Sequence, residues 1–377
     1  MGTLNIKNNR WVTGFIMINI CFIMAYTIYP RRGGLHEQVY LISRELRRRG
    51  YNVYILYYRH GLLSNRQLVR IPLYFSGIHP NLYSSIDKCD YVVMETAWPW
   101  LAAVPIRLLG KGFILHLHAI ESLPDFGLPM HRRLMIKFAE EVAGRLASRI
   151  ITVSLTEYSM LRARFGSKVT YIPLAIDLEE RERYMGMSKE DARRVLNLPS
   201  DKFIVTFIGG MGYGANREAA RIIATQIAPK IHELSNGKAL FLLVGPDPPP
   251  ESIGLSYIRV TGYVKSIAPY IVASDACIAP IYHGGGVKMK TLDCMSLRRI
   301  VIATRKAVEG TLLKPWVHYI PAEKPMDFTY RIIELLRIRN HDQVIAKIAD
   351  EGYNYVRSNH SVNAVVDMFL NTLRDIV

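Results

Sequence analysis

The segment Pro280-Ile281-Tyr282-His283-Gly284-Gly285-Gly286-Val287-Lys288-Met289-Lys290-Thr291-Leu292-Asp293 passes from an apolar run into a helical pattern through three glycines, two lysines and a carboxylate. Those residue types suit a phosphate cradle. Glycines let backbone N–H groups approach an anion, the N-terminus of the following helix adds a favourable dipole, and lysine supplies counter-charge. At about 100° per residue, Gly286, Lys290 and Asp293 share one narrow helical face, whereas Lys288 lies well off it. The spacing therefore assigns Lys290 to a phosphate and Asp293 to a sugar hydroxyl. Gly284, Gly285, Gly286 and Val287 line the loop, with Lys288 as a less well-placed cation. Glycine clusters after strands also serve ordinary turns, so the loop alone is weakly specific.

Such a loop needs a strand before it and a helix after it, and the chain supplies both repeatedly. Short apolar runs alternate with helical patterns, as a parallel α/β sheet demands. Strands are expected near residues 20–29, 51–57, 91–94, 113–117 and 150–153, with helices near 36–49 and 131–147. Residues 173–200 read as a linker. New strands then follow near 203–207, 239–244, 257–260, 276–279 and 300–303, and a last helix near 361–376. Both halves begin with a strand and a glycine loop, and a chain of 377 residues exceeds the usual size of one core.

The stretch from Tyr257 to Gly310 resembles the C-terminal half of family 4, or group 1, glycosyltransferases, in the subgroup with a triple-glycine loop. Three further segments are similar to that family in the same order: Tyr29-Pro30-Arg31-Arg32-Gly33-Gly34, then Ile151–Ser154 with Val169–Asp177, and Phe207-Ile208-Gly209-Gly210-Met211-Gly212-Tyr213 to Asn216. The resemblance implies an α/β protein of the GT-B type, two Rossmann-like domains facing each other across a cleft. Residues 1–175 would form the acceptor-binding domain, 176–360 the nucleotide-sugar domain, and 361–377 a helix returning to the first domain. It implies transfer of a sugar from a nucleotide diphosphate with retention of configuration, without a cofactor or metal. Lys290 and the loop amides would stabilise the leaving group. Gly33, Gly34, Gly209 and Gly210 would approach the donor phosphates, and Tyr263 and Val264 the base.

The chain departs from the family pattern in three places. The loop at Gly209 and Gly210 lacks the arginine that many relatives place there, and the usual pair of glutamates eight positions apart is replaced by Gly285 and Asp293. Leu297-Arg298-Arg299 stands where a small residue and glycine are usual.

His116-Leu117-His118 closes an apolar strand, and a period of two points both imidazoles to one side. The resemblance implies His118, or failing that His116, as a contact to the transferred sugar; a structural histidine is the alternative. A metal pair lacks a third ligand at plausible spacing. Glu121 and Asp125 are candidates for acceptor hydroxyls, against the reading as solvated loop carboxylates.

The net charge of +16 is uneven, with 22 Lys+Arg against 10 Asp+Glu in residues 1–175, a balance of +12. Clusters at Arg31-Arg32, at Arg44 with Arg47-Arg48-Arg49, and at Arg132-Arg133 with Lys137 suit an anionic membrane surface or a lipid-linked or polysaccharide acceptor; solvated helix faces are the alternative. Nucleic acid is the weaker partner, since zinc-finger spacing, an aromatic RNA-binding motif and a basic tail are all missing. Trp11 to Ile28 is apolar enough to raise a spanning helix, but that helix would consume the first strand. A cytoplasmic protein, peripheral on the inner face of the membrane, is expected. Cysteines 21, 89, 277 and 294 show no ligand spacing and are expected as reduced core thiols. A nucleotide-sugar epimerase or hydrolase of the same fold, and a silent membrane-associated binding protein, are the competing functions.

Overall fold

A computed structural model describes residues 17–24, 34–57, 84–338 and 343–376. The strands are β1 (Asn19–Met24), β2 (Asn52–Tyr57), β3 (Tyr91–Glu95), β4 (Gly112–Leu117), β5 (Arg149–Thr152), β6 (Val169–Tyr171), β7 (Phe203–Ile208), β8 (Ala239–Val244), β9 (Ile258–Val260), β10 (Ala276–Ala279), β11 (Ile300–Ala303) and β12 (Ile320–Pro321). They form two parallel six-stranded sheets, in the orders β2-β1-β3-β4-β5-β6 and β12-β11-β10-β7-β8-β9. Each central strand is an apolar run buried on both faces, which is why it reads as continuous rather than alternating.

Strand order reverses between β1 and β3 in the first sheet and between β7 and β10 in the second. Doubly wound sheets bind ligands in the crevice outside the carboxyl ends of strands at such a switch point. The glycine loop leaves the carboxyl end of β10 and enters the helix Met289–Met295. Here it meets the residues that leave the carboxyl end of β4. The two crevices therefore face each other, which is the GT-B arrangement.

The helix Val362–Arg374 crosses back to the first sheet. Val365, Val366, Phe369, Leu370 and Leu373 join the cluster of Ile20, Phe22 and Met24, with the Phe22 and Phe369 rings 6.1 Å apart. The outgoing and returning chains run side by side: Ile176 N–H donates to His360 O at 2.7 Å, and His360 Nδ1 lies 2.7 Å from Leu174 O.

Several expectations are corrected. Residues 173–200 are not a plain linker but contain the helices Leu178–Met185 and Lys189–Val195, whose caps Asp177 and Ser188 accept from Glu180 N–H and Asp191 N–H. A side-chain oxygen that satisfies an orphan donor starts a helix even in a charged run. Strands β6 and β12 are too short to stand out by pattern. The cysteines are not free thiols: Cys21 pairs with Cys89 and Cys277 with Cys294, their Cα atoms 5.9 Å and 6.4 Å apart. Those distances suit a disulfide, and the sequence separations of 68 and 17 conceal the approach.

The basic cluster on the helix Gly34–Arg48 is also not an open surface. Arg44 holds Asp177 through two hydrogen bonds of 2.7 and 3.0 Å, Arg48 binds Glu179 at 2.8 Å, and Arg49 binds Glu45 at 2.8 Å and also Asp367. These arginines clamp the Leu178 helix and the returning helix to the first domain. Arg31 and Arg32 lie outside the described residues. No helix among the described residues is long and apolar enough to cross a membrane; most of Trp11 to Ile28 lies outside them.

Candidate functional site

The triple-glycine loop is pressed against the first domain, and each glycine has a specific reason. A Cβ on Gly284 would lie 2.7 Å from the Tyr213 hydroxyl, and one on Gly285 2.4 Å from the Phe126 ring. On Gly286 it would lie 2.5 Å from His118 O, and Gly286 also has a φ of +65°. Gly284 is thus confined within the second domain, and at Gly285 and Gly286 no side chain fits where the two domains approach so closely.

The loop amides already serve oxygens of the first domain. Gly284 N–H donates to Asp125 O at 3.2 Å, and Gly286 N–H to Glu157 Oε1 at 3.0 Å, while Glu157 Oε2 accepts from Ile120 N–H at 3.0 Å. Burial raises the Glu157 carboxyl, and the Gly286 and Ile120 amides oppose that shift. The Gly286 amide thus donates to a buried carboxyl oxygen across the domain gap.

The two lysines divide their work. Lys288 folds back into its own loop, with Nζ donating to Gly284 O at 2.7 Å, Gly285 O at 3.1 Å and Gly286 O at 2.8 Å. It shapes the loop, and its burial, with Lys306 nearby, lowers it to about 8. Lys290 points elsewhere. Its Nζ donates to Asn216 Oδ1 at 2.6 Å and lies 5.5 Å from the centre of the Phe207 ring. Burial first, then the charge of Lys288, lowers it to about 7. Asn216 Nδ2 in turn donates to Gly210 O at 3.0 Å, so the loop after β7 and the helix after the glycine loop are joined through one amide.

Asp293 is buried and its Oδ1 accepts from Arg181 Nη2 at 3.0 Å. Burial raises its carboxyl against the pull of Arg181. Its Oδ2 has no hydrogen bond among the described residues. Gly34, the first residue of the helix Gly34–Arg48, lies across from this helix, where its Cβ would come 3.0 Å from Met289 Sδ. Gly33 lies outside the described residues. Gly209 and Gly210 sit beside Asn216, and Val264 packs on the second core. Tyr263 is exposed beyond Gly262, which pairs with Gly245.

On the other side of the cleft, His118 lies just beyond β4. Its Nε2 is 2.6 Å from Glu95 Oε2, while His116 Nδ1 is 3.1 Å from Glu95 Oε1. His116 is buried behind it, so of the two only His118 retains exposure. Glu95 is the third ligand-type group missing from the sequence reading, and the three present their atoms within 4.8 Å of one another. Yet 2.6 Å is shorter than the roughly 3.3 Å between two ligand atoms bound at about 2.0 Å to a tetrahedral zinc. Here the trio is a hydrogen-bonded set.

The two acceptor candidates are not free loop carboxylates. Glu121 Oε2 accepts from Trp98 Nε1 at 2.6 Å, and burial lifts its carboxyl to about 7. Asp125 is exposed but bridges the domains, pairing with Lys306 Nζ at 2.5 Å. Sequence reasoning missed Glu95, Glu157, Arg181 and Lys306 because each acts across a large sequence separation. The one available signal was Glu95, a carboxylate closing a strand that is otherwise wholly apolar.

No curated protein sequence matches the chain. Solved structures do match in shape. A glycosyltransferase from Rickettsia africae aligns at 14% identity and a TM-score of 0.73, covering 96% of this chain and 99% of that one. Anabaena HepE in complex with UDP-glucose aligns at 15% identity and 0.71, covering 95% and 100%. WaaG, a glycosyltransferase involved in lipopolysaccharide biosynthesis, aligns at 13% identity and 0.71, covering 94% and 99%. These likenesses carry the fold. The model for Glycosyltransferase Family 4 matches residues 32–180, and the model for Glycosyl transferases group 1 matches residues 202–337. With one model on each sheet, the glycine loop inside the second and His118 inside the first, the chain belongs to the family 4, group 1 glycosyltransferases.

Proposed function

We propose that this glycosyltransferase moves a sugar from a nucleotide diphosphate donor to a lipid-linked or surface glycan, with retention of configuration and without a metal. One observation carries the donor half: Lys290, held by Asn216, stands beside the glycine loop at the carboxyl ends of β7 and β10, and Gly286 of that loop abuts His118 O of the first domain. A diphosphate leaving group needs its developing charge met, and a fixed ammonium does so at little reorganisation cost. Asp293 Oδ2 would take a ribose hydroxyl, and His118 a hydroxyl of the transferred sugar. The complex of Anabaena HepE with UDP-glucose supports a nucleotide-sugar donor. Retention follows the family resemblance, with the leaving phosphate taking the acceptor proton.

The acceptor half rests on the surface of the first domain. The helix Met130–Leu146 exposes Met130, Leu134, Met135 and Phe138, interleaved with Arg132 and Lys137, which have no ion pair among the described residues. A contact between Phe138 and Trp100, ring centres 5.3 Å apart, joins this face to the helix Ala103–Leu108, where Val104 and Leu108 are also exposed. Basic side chains among exposed apolar ones suit an anionic lipid interface, where a lipid-linked acceptor is presented. The neighbour WaaG, by its description, serves lipopolysaccharide biosynthesis, which supports a glycan of that class.

The test is the fate of a labelled sugar when the enzyme is given UDP-, GDP- and ADP-sugars, chelator and a lipid extract. Label moving into the organic phase supports transfer. Free sugar or an epimerised donor, formed equally without the extract, would identify a hydrolase or epimerase instead.

A further inference from the structure

Glu95 closes β3 with its side chain enclosed, 1% exposed, and receives both imidazoles that β4 presents. A carboxylate out of water is tolerated only when its oxygens are hydrogen-bonded, and here one oxygen faces each ring. Burial lifts this carboxyl, but the pull of His116 and the hydrogen bonds from both rings outweigh it and hold it below the ordinary carboxylate range, so it stays ionised. An ionised carboxylate only accepts, so the ring nitrogen facing each oxygen carries a proton. His118 is therefore protonated on Nε2. Burial, reinforced by His116, lowers its pKa, which keeps the ring neutral near pH 7 and leaves Nδ1 with a lone pair. That Nδ1 has no hydrogen-bond partner among the described residues, and the backbone of the same residue touches Gly286 of the donor loop.

We propose that Glu95 is a positioning residue: it fixes His118 as the Nε2–H tautomer and so presents Nδ1, as an acceptor, to a hydroxyl of the transferred sugar. This rests on the reading that His118 touches that sugar. His116 is the second post of the device. Held on the other oxygen, it prevents the carboxylate from rotating, so the tautomer is set from behind and not by the ligand.

The direct test is nitrogen-15 NMR of the full chain labelled at histidine, with the His118 signals assigned by their loss in His118→Ala. The expected wild-type pattern is a neutral ring protonated on Nε2. Glu95→Gln keeps the shape but offers an N–H₂ to one ring, and is expected to convert His118 partly or wholly to the Nδ1–H form. It should also lower kcat about tenfold to a hundredfold at little-changed donor KM, as removal of a partner orienting a histidine does. The double variant Glu95→Gln/His118→Ala should be no slower than His118→Ala. A wild-type ring protonated on Nδ1 would overturn the proposal. So would a Glu95→Gln variant with wild-type tautomer and kcat, or a stoichiometric metal ion on the trio that Glu95→Gln loses. The spectrum is read without turnover, so an Nε2–H ring in a chain that consumes no nucleotide sugar would count against the transferase reading and not against the positioning.

Discussion

The ammonium of Lys290 donates to the side-chain oxygen of Asn216 at 2.6 Å, and this bond ties the helix that follows the glycine loop to the helix that follows β7. A flexible lysine becomes a fixed cation. Asn216→Ala would leave it unanchored, and a hydrogen bond to a charged group contributes about 1.5–3 kcal/mol. Turnover of the donor should fall about tenfold to a hundredfold with the fold intact, as steady-state kinetics beside a thermal melt would report.

The state of Lys290 gives a pH dependence. Burial lowers it to about 7 in the folded chain, far below the ordinary value of 10.5. Between those two pH values the unfolded chain binds more protons, so this group's contribution to stability rises with pH across that window and is least favourable below about 7. Binding of a nucleoside diphosphate runs the other way, because it needs the ammonium. Affinity should weaken as pH rises above about 7, and Lys290→Arg, which keeps its charge, should flatten the profile. Calorimetric titrations across the range check this.

Arg181 and Asp293 form a buried pair, and removing one partner strands the other. Arg181→Ala should destabilise the chain by about 3–5 kcal/mol, whereas the double variant Arg181→Ala/Asp293→Ala should recover part of that loss. Urea melts of wild type and these two variants decide it. A single variant as stable as wild type would show that Asp293 is not held by this contact.

Gly286 has a φ of +65° and no room beside His118 O. Gly286→Ala should both strain the loop and push the domains apart, lowering the melting temperature and abolishing donor turnover. Gly127, equally left-handed but with open space around it, is the control: Gly127→Ala should be milder on both counts.

The exposed face of the helix Met130–Leu146 predicts lipid selectivity. Binding to vesicles containing anionic lipid should exceed binding to neutral ones and fall with salt. Arg132→Glu with Lys137→Glu should remove the preference, and Phe138→Ser should weaken what remains. Equal binding to both vesicle types would end the electrostatic argument.

The sheets were legible in the sequence because their strands are buried on both faces and read as unbroken apolar runs. The helix carrying Lys290 and Asp293 was legible from its pattern, but Gly286, read onto the same helical face, lies ahead of that helix with a φ of +65°. The partners of these residues were not legible. Arg181 lies in a charged run that looks like a linker until its caps are seen, and Glu157 reaches Gly286 across 129 residues. Arg44 and Arg48 looked like a basic surface because nothing local reveals that Asp177 and Glu179 fold onto them. Periodicity reports which way a side chain faces; what it meets depends on how the two sheets come together.

The measurement that tests the central claim most directly is binding of UDP-, GDP- and ADP-sugars to wild type and Lys290→Ala, by calorimetry in the presence of chelator. Tight binding of one donor class to wild type, lost about a hundredfold or more in the variant, is the predicted result. Binding undiminished in Lys290→Ala, or no binding of any nucleotide sugar to wild type, would contradict the phosphate cradle itself.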